Sequence, residues 1–466
     1  MRRRGWGGNW NKEVGASALG WVAAMLVTGA CGDDGGSIWQ TGSDTTDAGQ
    51  AEAGGTAATS NDATTSASAG GTTDPDETGS DLKLDVGGPG GAIDGCGCDL
   101  SYIWIANSSE GTVSKINTKT LVEEGRYLTR EDGMGNPSRT SVNLAGDVAV
   151  ANRHGGLVKF FAEAEDCVDR NGDGVIQTSS GANDVLSWDV EECRAWFLDF
   201  PTTNQRPVAW TSGAVGPDAC DAFDANVWTV TSAVPSLFPG QGGAGGVIAT
   251  LVDGVAGAII ESVPVPDFPG GGFGAYGGAV DAAGNLWFTS LGIPGGTLGR
   301  VDAATLDSQV ITVPQGIAPY GITVDHVGRV WLSSNLGSIA ARYDPATGVW
   351  ATVEGFGGGA GLAEGPDGRM WISAGNRVLG VDLETLMVGP MWTTDESLKG
   401  IGFDVDGYLW AVTWKDPDVA TSQAIAYKID TSTMMVEDFY LGLTDPYTYS
   451  DMTGYALDTV TCPPAG

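Results

Sequence analysis

Histidine is nearly absent from this chain: two in 466 residues, His154 and His326. That number excludes a His-rich metal centre, and no H-E-x-x-H zinc helix or G-x-S-x-G nucleophile elbow follows the leader. Both histidines fall in turns, NRHGG and VDHVG, and read as exposed turn residues. Basic residues are few, 23 Lys and Arg against 58 Asp and Glu, for a formal net charge of −35. Such a surface repels polyanions, which argues against nucleic acid as a partner. No good membrane span is present either, because the apolar stretch from Gly15 to Ala30 is short and Gly-rich. Any enzyme built from this chain would have to use carboxylates, Arg or Tyr.

Glycine, by contrast, is abundant at 73 residues, as a turn-dense all-β chain requires. Four stretches repeat one pattern: GGAVDAAGNLWFTS from Gly277, YGITVDHVGRVWLSSN from Tyr320, GLAEGPDGRMWISAG from Gly361 and GIGFDVDGYLWAVTW from Gly400. Each is an apolar strand, a tight Asp/Gly turn and a second strand carrying Trp287, Trp331, Trp371 or Trp410. A recurrence of roughly 40 residues built from strand pairs is the mark of a β-propeller, one repeat forming one blade. Weaker copies place Trp104, Ala149 and Trp228 in the same slot, which makes seven. The long gap between Ala149 and Trp228 requires an insertion, assigned to 164–195, with blade strands resuming at RAWFLDF.

The fold expected is therefore all-β, a seven-bladed β-propeller over 96–466 that is monomeric. Its first blade lacks an inner strand, and Met452–Asp458 lines up with PYGITVD of the fifth. The C-terminal strand is thus expected to close blade 1, leaving no open sheet edge.

Residues 1–30 read as a bacterial lipoprotein signal peptide: Arg2, Arg3 and Arg4, an apolar stretch, then Gly29-Ala30-Cys31, with Cys31 the lipidated residue. Residues 31–95, rich in Gly, Ser, Thr and Asp, cannot bury enough surface to order themselves and form a disordered tether of roughly 40–50 Å reach. The expected location is the cell envelope, lipid-anchored and extracytoplasmic. Six further cysteines, Cys96, Cys98, Cys167, Cys193, Cys220 and Cys462, suit disulfides in an oxidising compartment. Cys167 with Cys193 would staple the insertion, Cys462 with Cys96 or Cys98 would rivet the closure, and Cys220 would take the remaining one.

Within the insertion, DRNGDGVIQTSS fits the D-x-N-x-D-G calcium loop: side-chain oxygens from Asp169, Asn171 and Asp173, the Val175 carbonyl and a water-mediated Gln177. Ser180 replaces the usual bidentate Glu, so another acid, such as Asp184, has to complete the shell around a structural Ca2+.

The repeat, an inner strand, an Asp/Gly or Pro-Asp-Gly turn and a Trp strand ending in Ser or Thr, resembles the streptogramin B (virginiamycin B) lyase propellers and, more distantly, the NHL and gluconolactonase-like propellers. The resemblance covers about Tyr102 to Val460. It implies seven blades and, as one possible activity, a carbon–oxygen lyase. Those lyases resemble one another in acidic metal-binding Trp-strand ends and a catalytic His at the mouth. This chain departs at Ser290, Ser333, Ser373 and Val412.

The channel mouth is where a propeller places its ligand. Residues at inner-strand starts are Arg139, Arg206, Tyr276, Tyr320, Lys399 and Asp451. Asn107, Asn152, Arg153, Ser334 and Asn335 end the Trp strands. The reading is a binding or scaffold module for an anionic, carbohydrate-like or acidic protein ligand; the alternative is a lyase-like or lactonase-like enzyme at the same mouth.

Overall fold

The computed structural model describes residues 101–461 except 216–221, 224, 293, 356–357 and 415–422. Every described residue belongs to one compact unit, within Ser80–Gly466. The leader and tether, with Cys31, Cys96, Cys98, Cys220 and Cys462, lie outside the described residues.

Seven antiparallel sheets form the blades, six of four strands and one of three. Blade 1 is Tyr102–Asn107, Thr112–Asn117 and Glu123–Leu128. The inner strands of blades 2 to 7 are Pro137–Val142, Val208–Trp210, Ala275–Val280, Ile317–Val324, Gly359–Glu364 and Leu398–Phe403. Six of the seven slots read from the sequence fall in second strands and Trp104 in the first strand of the three-stranded blade 1; the insertion separates the third and fourth strands of blade 2, the fourth resuming at Arg194–Leu198.

Burial runs outward in a gradient that the residue types dictate. Second strands such as Leu286–Ser290 and Leu409–Thr413 are buried throughout, packed between neighbouring blades, and outer strands such as Ser308–Thr312 and Met435–Tyr440 are largely exposed. The second-strand Trp residues are core, and each buried indole N–H has an acceptor, as burial demands. Trp287, Trp331 and Trp410 donate to the carboxylates of Asp281, Asp325 and Asp404, each at 2.9 Å, and Trp371 donates to Asp367 at 3.0 Å. The same aspartates accept backbone N–H groups of the tight turn, so one carboxylate ties turn to core.

The ring closes through the C-terminal segment, in a register that differs from the sequence expectation. Trp104 N–H donates to the Met452 carbonyl at 2.8 Å, Tyr447 N–H to Ala106 O at 3.1 Å and Ser108 N–H to Asp445 O at 3.1 Å. Residues 445–452 therefore supply the missing inner edge of blade 1. Ser450 and Asp451 also bond to Thr140 of blade 2. Most of the stretch expected as strand, Met452–Asp458, instead leads into a helix, α1 (Tyr455–Thr461). Asp451 accepts the N–H of Gly454 at 2.9 Å, and Gly454 takes a φ of 84°, so the chain turns as it leaves the channel. Tyr455, Leu457 and Val460 are buried, with α1 packed on the inner strands of blades 5, 6 and 7.

The disulfide expected at the base of the insertion is present, Cys167–Cys193, with Cα atoms 4.5 Å apart.

Candidate functional site

Inner strands of blades 4 to 7 begin with a register shift in their pairing to the second strand, between Ala275 and Gly277, Pro319 and Ile322, Gly359 and Leu362, and Leu398 and Gly400. A bulge re-aims side chains, and those skipped here include Tyr276, Tyr320, Ala360 and Lys399. The following residue is glycine each time because the next blade crowds it. A Cβ on Gly321 would lie 2.1 Å from Ala360 O, and one on Gly361 would lie 2.5 Å from Lys399 O.

Tyr276, Tyr320 and Ala360 form one buried cluster with Tyr447 and Tyr449 of the closing segment, flanked by the half-buried Phe273, Leu291 and Trp414. The Tyr276 and Tyr447 hydroxyls are 3.0 Å apart, Tyr320 bonds to Tyr447, and Lys399 Nζ donates to the Tyr320 hydroxyl at 3.2 Å. Cations crowd these rings. Arg139 lies 3.2 Å from the Tyr449 centroid and 4.7 Å from that of Tyr276, Arg153 lies 4.4 Å from Tyr447, Arg206 5.1 Å from Tyr276 and Lys399 4.6 Å from Tyr320. The aromatic faces partly compensate this charge.

Burial sets the protonation behaviour of the cluster. It lowers Arg139 to about 9 against the attraction of Tyr276, Tyr447 and Tyr320, so the guanidinium stays cationic at neutral pH. Burial and then the Arg139 charge lower Lys399 to about 8. Burial and the neighbouring Tyr276 raise Tyr320 and Tyr447, which keeps these phenols neutral hydrogen-bonding groups. Among the described residues, no carboxylate forms an ion pair with Arg139, Arg153 or Lys399.

Of the mouth residues expected from sequence, the structure brings together Arg139, Arg206, Tyr276, Tyr320, Lys399 and Arg153. The amides of Asn107 and Asn152 are bonded within the fold. Asn107 bonds to Thr112 and Ser114 and accepts the Thr444 N–H, which pins the closing segment. Asn152 exchanges hydrogen bonds with Thr129. Ser334 accepts the Ala318 N–H and Asn335 is exposed. Asp451 departs from expectation: its carboxylate turns to the start of α1, and the residue lines a channel cavity with Ser141, Thr323 and Leu457. Tyr447, Tyr449, Phe273 and Trp414 were not anticipated. The alternation YTY at 447–449 was the sequence trace of the two tyrosines, since residues two apart on an edge share a face.

On the same face, an open cleft of about 560 Å³ is lined by Arg130, Met134, Asn136, His154, Leu237 and Pro239 among others. His154 is half-buried rather than fully exposed, its Nδ1 2.8 Å from Met134 O. His326 sits at the far end of its inner strand, bonded to Glu364 of the next blade.

The insertion loop turns the carboxylate of Asp169 to the N–H groups of Gly172 and Gly174, Asn171 to Asp173 N–H and Asp173 to Val175 N–H. Gln177 donates its amide to Asp173 and to Val175 O. Asp184 bonds to Ser180. The acid that reaches the loop is Glu192, beside Cys193, accepting the N–H of Arg170 and of Gln177, each at 2.9 Å. Among the described residues, no group of three or more His, Cys, Asp or Glu side chains is placed to hold a metal ion. The loop's donors are two carboxylates, an amide and a carbonyl.

The class this architecture defines is a seven-bladed β-propeller whose channel is entered by its own C-terminal segment. Among solved structures it is similar to a streptogramin B lyase (14% identity, 70% of this chain and 92% of that chain covered, TM-score 0.46) and to virginiamycin B lyase from Staphylococcus aureus (16%, 65% and 83%, 0.41). It is similar also to U3-55K (9%, 70% and 90%, 0.50). At these identities the likeness is one of fold. No family model matches the chain, and no curated protein matches it.

Proposed function

We propose that this chain is a lipid-anchored extracytoplasmic binding module, with its ligand site at the mouth of the propeller. One observation carries the reading: strands from several blades and the closing segment deliver Arg139, Arg153, Lys399 and four tyrosines to one place, a convergence that folding alone disfavours. Burying like charges lowers stability unless something compensates them. Lys399, Trp414 and Phe273 are half-buried and form the reachable rim.

A metabolite screen and pull-down with the purified protein tests the reading, and Lys399→Ala with Trp414→Ala should abolish whatever is captured. Capture unaffected by both substitutions would remove the site from the mouth. Turnover of a cyclic ester that disappears in His154→Ala would replace the binding module by an enzyme.

Anchoring rests on Gly29-Ala30-Cys31 after the apolar stretch. Cys31→Ser should release the protein to the soluble fraction, and retention of the variant in the membrane pellet would refute the anchor. The Asp169 loop fits a structural calcium ion held by Asp169, Asn171, Asp173 and the Val175 carbonyl, bracing the insertion that Cys167–Cys193 staples.

A further inference from the structure

Among the described residues, several buried side-chain donors and acceptors at the mouth have no partner. They include Nε and Nη2 of Arg139, Nε and Nη2 of Arg153, the Tyr449 hydroxyl, Ser138 Oγ and Gln205 Oε1. The two arginines share a pattern. In each, Nη1 is used, Arg139 donating to Ser138 O at 2.8 Å and Arg153 to Asn136 Oδ1 at 2.6 Å. In each, the opposite edge of the guanidinium, Nε with Nη2, has no partner among the described residues. That edge is the side-on fork, two parallel N–H groups in one plane.

Stacking on tyrosine does not fill it. A ring under a guanidinium meets its positive face, and leaves the in-plane N–H groups as they were. Both side chains are 2% exposed or less, so bulk water does not satisfy these donors. What matches an empty side-on fork in geometry and charge is a pair of oxygens carrying negative charge.

We propose that the mouth binds a ligand through an oxyanion, a carboxylate, phosphate or sulfate group, that docks on the Nε/Nη2 forks of Arg139 and Arg153, with the Tyr449 hydroxyl as a further donor. This assigns a chemical class to the ligand of the binding module and rests on that reading. Lys399, half-buried at the rim, is the cation such an anion meets first. The site is also a local exception in a chain of net charge −35, so it selects against large polyanions and admits a small anion or the acidic end of a molecule.

The test uses the full purified chain with inorganic phosphate, sulfate and acetate as probes against chloride at constant ionic strength, read by melting temperature and by titration calorimetry. At least one oxyanion should raise the melting temperature saturably above the chloride control. Tetrahedral against planar probes then tells phosphate or sulfate from carboxylate. Arg139→Lys and Arg153→Lys keep the charge and remove the fork, and each should weaken the responding anion by about tenfold or more, with Tyr449→Phe weakening it less. Arg139→Met with Arg153→Met should abolish the response. If the double variant fails to fold, the single lysine variants decide. No shift with any of the three probes, or lysine variants that respond as the native protein does, overturns the proposal. A captured ligand that is lost with Lys399→Ala but indifferent to both lysine substitutions would sink the oxyanion and leave the binding module standing. No ligand of any kind would sink both.

Discussion

In blades 4 to 7 each second-strand Trp is held by an aspartate of its own blade. In blades 1 and 3 the indole reaches into the next blade, Trp104 to Gly146 O and Trp228 to Gly284 O, both at 3.1 Å. Blade 2 has Ala149 in the slot, and Asp147 pairs instead with Lys159 at 2.8 Å. The regular half of the ring is made of blades that satisfy their own core indoles. The irregular half depends on neighbours: the closing segment, the disulfide and a stapled insertion. It is also where Arg139, Arg153 and Arg206 originate, all from blades 2 and 3. The mouth joins the two halves, because Tyr276, Tyr320 and Lys399 of the same cluster come from blades 4, 5 and 7.

The largest test of that contrast is removal of residues 445–466. Blade 1 would lose the chain bonded to Trp104 and Ala106, and the channel would lose Tyr447 and Tyr449. Cooperative unfolding should disappear in calorimetry, because an arc with open edges replaces a closed ring. A truncated protein melting within a few degrees of the native one would show that blades 4 to 7 hold the ring alone.

Next in size is the core of a self-contained blade. Trp371→Ala should cost about 3–5 kcal/mol in denaturant unfolding, through the cavity and the stranded Asp367 carboxylate. A loss below about 1 kcal/mol would mean that the regular blades tolerate an empty slot as blade 2 does with Ala149.

Asp451 gives a smaller, pH-dependent effect at the seam between the halves. Burial raises its pKa to about 6, above the value in the unfolded chain, against the backbone N–H groups of Thr453 and Gly454 that lower it. Its contribution is therefore fully favourable below about pH 4 and is lost as pH rises through 6. Asp451→Asn keeps an acceptor for those N–H groups and should be more stable than the native protein at pH 7.5 by about 1–3 kcal/mol, with little difference at pH 4. Equal stability at both pH values would show that the carboxylate is not strained by its site.

Smallest is calcium. With a dissociation constant in the ~10⁻⁴–10⁻³ M range, millimolar calcium should stabilise the protein by about 0.5–1.5 kcal/mol. Chelation should loosen 167–193 in hydrogen exchange and leave blades 4 to 7 unchanged, and Asp169→Ala with Asp173→Ala should remove the dependence. Absence of any calcium shift in the native protein would return the loop to an Asp/Gly turn.

Much of the fold was legible because a blade is local. Its inner strand, Asp/Gly turn and Trp strand lie within about fifteen residues, so periodicity alone located seven slots and the insertion between Ala149 and Trp228. The X-Gly pairs Tyr276-Gly277, Tyr320-Gly321 and Lys399-Gly400 located part of the mouth for the same reason. Asn107 and Asn152 stood at plausible positions, yet their amides turn to Thr112, Ser114 and Thr129, which position in a repeat does not reveal.

What the sequence determined by itself was the blade and its count, since alternation, turn chemistry and a buried Trp are consequences of residues close along the chain. Only the tertiary structure decided how the ring closes and what fills it. Residues more than three hundred positions apart, Trp104 and Met452 or Thr140 and Ser450, meet there. An Asp451 carboxylate that captures the next N–H groups turns an expected strand into α1. The pairing of Arg139 with Tyr449, and of Arg153 with Tyr447, likewise exists only once the last segment enters the channel, because a guanidinium's empty edge is defined by the partners that packing has already assigned to the rest of it.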